Sequence, residues 1–230
     1  MLDRVGFTTG DRLVFVGDLV ARGPDSLGVL DVARTTGAIV VRGNHEQKLL
    51  DWKRARAEGM RGEAAAKLPI GRMHRDIARS LRPVDWTLLQ TSPLFLDLPE
   101  HGGRVVHAGV VPGVPFEDQS AQTLMRIRTV RVPVAKRGKA TNLLWGVAYE
   151  GPPHLVFGHN AAPGLQLHAW ATGLDTGCVY GGRLTAMVLA SGQRIPRAIS
   201  ARRALLVAEP AARIWFSAAA RTAAESPGAA

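Results

Sequence analysis

Four short motifs of this chain each follow an apolar run and contain a polar side chain that can bind a metal ion. They are GDLVARG at residues 17–23, RGNHE at 42–46, VHAG at 106–109 and FGHN at 157–160. An apolar run that gives way to glycine and polar residues is typical of a buried strand followed by a loop. Because loops at the strand ends of an α/β sheet meet at one crevice, the motifs predict a single shared site.

The candidate ligands carry more weight together than singly. An Asp after a strand is often a turn former or helix N-cap, and a single His at a strand end is usually structural. Four such residues in glycine-flanked loops form a more specific signal. A carboxylate, an amide and two imidazoles suit a divalent ion such as Mn, Fe or Zn. The predicted ligands are Asp18, Asn44, His107 and His159.

The order of elements predicts an α/β fold with two mixed β-sheets packed face to face and helices outside. Residues 12–57 alternate strand, loop and helix, which indicates parallel βαβ units, and a helical insertion is expected at about 53–90. The domain is predicted over 1–190, with a C-terminal extension at 191–216 and a disordered Ala-rich tail at 217–230. Strands are predicted at 12–16, 38–41, 94–98, 104–107, 155–157, 165–168 and 184–189, and helices at 24–33, 46–57 and 118–128.

The composition is that of one globular domain. The chain has 230 residues, 46% of them hydrophobic, and a formal net charge of +10. No apolar stretch approaches the ~18 residues of a membrane span, and the start lacks a signal-peptide pattern. Cys178 is the only cysteine, so a reducing compartment fits best and a cytoplasmic location without a membrane partner is predicted. The net positive charge favours nucleotides or RNA as partners, although a solvated arginine-rich surface explains this charge equally well.

Taken together, the four motifs resemble those of the calcineurin-like metallophosphoesterase superfamily, over residues 12–189. The resemblance implies a four-layer sandwich. It also implies a site for two divalent ions, such as Mn, Fe or Co, that activate water against a phosphoryl group. In that site Asp18 would bridge both ions, while Asn44, His107 and His159 would complete one of them. A Ser or Cys nucleophile is then not required.

Catalytic and substrate-binding roles also follow from the resemblance. It implies that His45 is the general acid on the leaving oxygen and that Arg22 and Arg42 clamp the phosphate. The sequence has Ala21 where related protein phosphatases carry the Asp that orients the catalytic His. Another group must then orient His45. Asp175 is a candidate for this role, with a turn-forming role as the alternative.

Further residues have weaker signals. Arg126 and Arg128 follow His107 in the chain, and they either reach a distal phosphate or face solvent from a helix. Tyr180 either lines the substrate pocket or packs in the core. The remaining histidines lack glycine-flanked strand ends and are predicted at the surface, namely His74, His101, His154 and His168.

One block of the family is not found in this sequence. The block, GDxHG, supplies an Asp and a His to the second metal and should precede the strand at 12–16. Residues 1–7 resemble the end of the helix that follows it. We expect the block to be encoded upstream of Met1, and the alternative is a truncated protein that holds one metal. The chain as it stands is therefore predicted to lack the first strand and to have little or no phosphatase activity.

Three functions are compatible with these motifs. GDLVARGP at 17–24 is similar to the symmetrical bis(5′-nucleosyl)-tetraphosphatases. It implies hydrolysis of diadenosine tetraphosphate to two ADP, or removal of related nucleotide caps from RNA 5′ ends. RGNHE at 42–46 is the protein-phosphatase form of its block, which favours a Ser/Thr protein phosphatase or a broad phosphomonoesterase. An inactive one-metal protein that binds a nucleotide is the third.

Overall fold

The computed structural model describes residues 1–60, 70–133 and 140–217. The helices of these residues are α1 Leu2–Val5, α2 Ser26–Thr35, α3 Asn44–Ala57, α4 Arg72–Ser80, α5 Pro83–Thr91, α6 Ala121–Arg126, α7 Trp145–Ala148 and α8 Ile199–Arg203. The strands are β1 Val14–Phe15, β2 Ile39–Val40, β3 Phe95–Leu98, β4 Gly103–Val106, β5 Thr129–Pro133, β6 Ala140–Leu144, β7 His154–Phe157, β8 Gln166–Leu167, β9 Ala171–Gly173, β10 Asp175–Thr176, β11 Arg183–Met187 and β12 Leu206–Pro210.

A mixed five-stranded sheet forms the centre of the fold, in the order β3-β4-β7-β9-β8. The three inner strands are parallel, and the two outer strands pair with them in antiparallel fashion. Successive side chains of a strand point to opposite faces. Val106 and Phe157 accordingly pack with α6 and α7 on one face, whereas Val105 and Val156 belong to a different apolar cluster on the other.

Two smaller sheets cover that second face. β1 and β2 form a parallel pair, and β10, β11 and β12 form an antiparallel sheet. Val14, Val41 and Met187 of this layer pack against Val105 and Val156 of the central sheet. The predicted face-to-face packing is therefore present, with two small sheets on one side.

Helices form the two outer layers. Leu30 of α2, Leu49 of α3 and Leu89 of α5 are fully buried in a cluster that includes Val40 of β2. On the far side, Leu124 of α6 belongs to the cluster formed by the central sheet. The layers thus follow the order helix, sheet, sheet, helix, and the predicted α/β fold class is confirmed.

Each predicted strand and helix has a counterpart, and the structure adds elements that the sequence did not predict. The additions include α7, β9 and β10, the antiparallel pair of β5 and β6, and α8 with β12 near the end of the described chain. Part of the expected helical insertion, 61–69, and most of the expected tail, 218–230, lie outside the described residues. Within the described ranges, no helix has the length and apolar composition needed to cross a membrane.

A buried arginine fixes the position of α8. Arg202 has no solvent exposure, and its guanidinium donates hydrogen bonds to the backbone carbonyls of His168, Ala169, Pro196 and Arg197. A buried cation needs such acceptors because desolvation would otherwise be costly. The contact joins α8 to the turn between β8 and β9.

Candidate metal centre

The four motifs converge as predicted. One possible ligand atom from each of Asp18, His107 and His159 lies within 4.8 Å of the other two. The Oδ1 atom of Asn44, the first residue of α3, is 3.3 Å from His107 Nε2. These residues follow β1, β2, β4 and β7, so four strand ends supply one cluster.

The tautomer of His107 suits a metal ligand. Its Nδ1 lies 2.6 Å from the carbonyl oxygen of Val16 and donates to it, which directs Nε2 towards the cluster. There Nε2 is 3.4 Å from Asp18 Oδ1 and 3.3 Å from Asn44 Oδ1. A nitrogen lone pair and two oxygens that face one point fit a divalent cation.

The charges of the cluster show the same preference for a cation. Burial lowers the pKa of His107, but the charge and hydrogen bond of Asp18, the hydrogen bond to Val16 and the charge of Glu46 together raise it to about 9. Burial raises the pKa of Asp18, but the charges and hydrogen bonds of His107 and His45 together keep it below its usual range. Without a metal, a proton on His107 thus balances the carboxylate, and a bound cation would replace that proton.

A buried glutamate holds the first two motifs together. Glu46 Oε2 accepts hydrogen bonds from the backbone N–H of Asp18 and Gly43, at 2.9 and 2.8 Å. Its Oε1 accepts from Leu19 and Val20, at 2.8 and 3.3 Å. Burial and the nearby Asp18 charge raise the pKa of Glu46, and these N–H groups oppose the shift because they stabilise the carboxylate. Glu46 therefore fixes the loop of Asp18 against the start of α3.

The loops adopt backbone conformations that few side chains tolerate. Asp18 and His159 have φ of 56° and 67°, in the left-handed region. Gly17 has φ of 93°, and a Cβ there would lie 2.5 Å from His107 Nδ1 and 2.8 Å from the carbonyl oxygen of Val41. Glycine is thus required for the close approach of this loop to His107. Such conformations are concentrated at functional sites.

His159 is the outermost of the gathered imidazoles. Its ring centroid is 5.1 Å from that of His107. Arg128 Nε lies 3.3 Å from His159 Nε2, and the Arg126 backbone contributes another hydrogen bond to this ring. Burial, followed by the charge of His107, lowers the pKa of His159 to about 3. Both arginines are exposed, and the side chain of Arg128 borders the cluster through its contact with His159.

His45 lies on the opposite side of the Asp18 carboxylate. Its backbone N–H donates to Asp18 Oδ1 at 3.1 Å, and its Nε2 is 3.9 Å from Asp18 Oδ2. Its Nδ1 is 2.7 Å from Nε2 of His74, a residue of α4. Asp175, a candidate partner of His45, accepts a hydrogen bond from the N–H of Gly177, which is the turn-forming alternative.

Two of the histidines predicted at the surface are buried, so the surface prediction for them was wrong. His74 is 4% exposed and His154 is 2% exposed. His154 Nε2 lies 2.9 Å from Thr172 Oγ1, which explains its burial on the central sheet. Sequence reasoning missed His74 because no strand-end glycine marks a residue within a helix.

The predicted phosphate arginines have different environments. Arg22 Nη1 donates to the Tyr180 hydroxyl at 2.8 Å, and the Arg22 guanidinium carbon lies 5.6 Å from the centre of the Phe216 ring. The charge of Arg22 is close enough to lower the pKa of His45. Tyr180 is 37% exposed, so it belongs to the rim of the site rather than to the core.

Arg42 differs from the predicted clamp. Its Nη2 donates to the carbonyl oxygens of Gln90 and Ser92, at 3.1 and 2.8 Å, and its Nη1 lies 3.3 Å from Gln47 Oε1. The guanidinium is therefore engaged with the end of α5 instead of being free for a phosphate. Burial lowers its pKa, opposed by the charge of Glu46.

Comparison with known proteins agrees with this geometry. The family model described as calcineurin-like phosphoesterase matches residues 2–193. A serine/threonine-protein phosphatase 1 from Salmonella typhimurium is 32% identical over 183 residues, covering 76% of this chain and 77% of that protein. A bis(5′-nucleosyl)-tetraphosphatase PrpE, named as asymmetrical, from Bacillus subtilis is 29% identical over 183 residues, covering 76% and 75%.

A solved structure has the same fold. It is described as a "putative diadenosine tetraphosphatase", and it matches with a TM-score of 0.70 and 32% identity, covering 91% of this chain and 85% of the other. The sequence match, the fold and the convergence of Asp18, Asn44, His107 and His159 agree. This chain belongs to the calcineurin-like phosphoesterase family and is a hydrolase that acts on phosphoester bonds.

Proposed function

We propose that this protein hydrolyses dinucleoside polyphosphates, with diadenosine tetraphosphate cleaved to two ADP, or related nucleotide caps such as those of RNA 5′ ends. The observation that carries the proposal is the convergence of the Asp18, His107 and His159 ligand atoms within 4.8 Å. The similarity to proteins named tetraphosphatases and the net charge of +10 support a polyphosphate substrate.

The proposed reaction assigns a separate role to the metal ions, to their ligands and to the nearby arginines. Divalent ions, with Mn, Fe or Co as the predicted choice, supply Lewis acidity and an activated water. Asp18, Asn44, His107 and His159 would hold one such ion. Arg22 provides a planar donor for phosphoryl oxygens, and Arg128 lies beside His159, where it can contact a more distal phosphate.

The position of cleavage is a defined part of the proposal. The relative from Bacillus subtilis is named as asymmetrical, whereas the GDLVARGP motif predicts symmetrical hydrolysis. Chromatography of the products separates the two, because symmetrical cleavage of diadenosine tetraphosphate yields ADP alone and asymmetrical cleavage yields ATP and AMP. Detection of ATP and AMP would contradict the symmetrical assignment and retain the substrate class.

A protein phosphatase is the alternative, favoured by the 32% identity to the Salmonella typhimurium phosphatase. Diadenosine tetraphosphate and a phosphopeptide should be compared at equal concentration with Mn²⁺. Any nucleotide release by unchanged protein should be lost in the Asp18→Asn variant and kept in Arg79→Gln, at an exposed position of α4. Turnover of the phosphopeptide alone would overturn the proposal, and nucleotide binding without turnover would favour the inactive one-metal alternative.

The effect of the missing GDxHG block is tested in the same assay. Protein of this sequence is predicted to show little or no turnover. Robust Mn²⁺-dependent turnover by the chain from Met1 would contradict this expectation. The cytoplasmic location stays a prediction, to be tested by fractionation of the source cells.

A further inference from the structure

A buried contact between two histidines lies directly behind the metal cluster. His45 Nδ1 and His74 Nε2 are 2.7 Å apart. Their rings are parallel to within 3°, and the ring centroids are 4.9 Å apart. The distance between the ring centroids is much longer than the distance between the two nitrogens. The rings therefore meet edge to edge, as in a direct N–H···N hydrogen bond.

The contact explains why His74 is buried. Its exposed fraction is 4%, and that of His45 is 3%. A polar ring inside a protein is destabilising unless it has a hydrogen-bond partner. Because α4 packs against α3, it brings His74 to the nitrogen of His45 that faces away from the Asp18 carboxylate. The backbone N–H of Arg22 also approaches Met73 Sδ, at 3.2 Å, which attaches α4 to the Arg22 loop.

The hydrogen bond needs one N–H donor and one nitrogen lone pair. Because both rings are buried, and burial disfavours a charged imidazole, the contact joins two neutral rings through one proton. If His45 carried its proton on Nδ1, the lone pair of its Nε2 would face Asp18 Oδ2 at 3.9 Å. With the proton on Nε2, a donor faces that carboxylate. Electrostatics therefore favours His74 as the donor.

We propose that His74 is a positioning residue that donates its Nε2–H to His45 Nδ1 and so keeps the proton of His45 on Nε2, the nitrogen directed at the cluster. An aspartate in this position would accept a hydrogen bond from Nδ1–H and so favour the opposite tautomer of a neutral ring. His74 thus keeps the Nε2–H of His45 available as a hydrogen-bond donor to the leaving-group oxygen. This consequence rests on the proposed phosphohydrolase function, whereas the tautomer does not.

The tautomer is tested in metal-free protein at pH 7, independently of activity. Nitrogen-15 NMR of the histidine rings, with His45 assigned from a His45→Asn variant, should show protonated Nε2 and unprotonated Nδ1 for His45. A coupling across the hydrogen bond should join His45 Nδ1 to the protonated Nε2 of His74. A proton on Nδ1 of His45, or no coupling between the two rings, would overturn the proposal even if the protein proves active.

Variants at position 74 test the positioning role. His74→Phe keeps a ring of similar size without a donor, and His74→Gln restores a side-chain N–H. With a pair of substrates that differ only in leaving group, His74→Phe should reduce kcat for phenyl phosphate about 10-fold more than kcat for 4-nitrophenyl phosphate, whose leaving group needs less assistance. His74→Gln should recover much of that difference.

Other outcomes separate this role from simpler explanations. An equal loss on both substrates, with no recovery in His74→Gln, would mean that His74 only fills space, and would overturn the positioning role. If His74→Phe unfolds, as judged by circular dichroism, the comparison of His74→Gln with unchanged protein decides the matter. If unchanged protein hydrolyses neither ester, the NMR result alone decides the tautomer, and the diadenosine tetraphosphate assay decides the proposed function separately.

Discussion

Glu46 provides the most direct test of how the site is held together. The proposed change is Glu46→Gln, which keeps the shape of the side chain and replaces one acceptor oxygen by a donor NH₂. The backbone N–H groups of Asp18 and Gly43 face Oε2, and those of Leu19 and Val20 face Oε1. Whichever way the amide turns, two of these four N–H groups lose their acceptor.

The expected cost follows from that count. An unsatisfied buried donor costs ~1–3 kcal/mol, so the loss of two partners should lower the free energy of unfolding by about 3 kcal/mol. With an m-value of ~2 kcal/mol/M, this moves the urea midpoint by about 1.5 M. Metal affinity should fall as well, since Glu46 fixes the Asp18 loop against α3.

Urea unfolding of metal-free protein, followed by circular dichroism, measures the effect. Glu58→Gln is the matched control, because Glu58 is exposed at the other end of the same helix. Its change should stay within ~0.5 kcal/mol. If Glu46→Gln shifted the midpoint no more than Glu58→Gln, the inference that Glu46 organises the two loops would be wrong.

Three further measurements address the cluster and the buried histidines. Gly17→Ala should destabilise the protein more than Gly37→Ala in urea unfolding, because both positions have positive φ but only at Gly17 would a Cβ collide with His107; equal losses would contradict this. In calorimetric titration, His107→Gln should weaken Mn²⁺ binding at least ~10-fold, whereas a His101→Gln control should not; unchanged affinity would remove His107 from the ligand set. The free energy of unfolding of metal-free protein should fall as the pH falls from 6.5 towards 4. The loss is at most ~1.4 kcal/mol per pH unit for each histidine whose pKa is lowered, because in this range the unfolded chain binds protons that the folded chain does not. These histidines are His45, His74, His154, His159 and His168. Urea unfolding with the same midpoint at pH 7 and pH 5 would contradict the prediction.

The sequence predicted the parts of the site that lie at strand ends. Asp18, Asn44, His107 and His159 each follow an apolar run, and the direction of parallel strands brings such positions together. The hydrogen bonds between the Glu46 carboxylate and the backbone N–H groups of the Asp18 loop were not predicted. Asp18 and Glu46 are 28 residues apart, so no local sequence pattern links them. Its place three residues after Gly43 matches a helix capping box, a signal that could have been used.

The contacts of His74 and Arg42 could not be predicted for a different reason. Both depend on how helices pack after the chain has folded. The residues next to His74 in the sequence belong to the same helix, α4, and say nothing about its partner. Only the packing of α4 on α3 shows that His74 contacts His45. Arg42 precedes a metal-binding motif, yet the end of α5 supplies carbonyl acceptors that lie 48 and 50 residues away along the chain.

Arg202 has a practical consequence for anyone who trims this protein. The family match stops at residue 193, and a gene shortened there would omit α8 and β12. The strand β11 would then lose β12, which pairs with it along all of its residues, and would become an edge strand with β10 as its remaining partner. The carbonyls of His168 and Ala169 would lose the Arg202 donor. An exposed edge strand with unpaired backbone groups promotes self-association. Recombinant versions should therefore extend at least to residue 210.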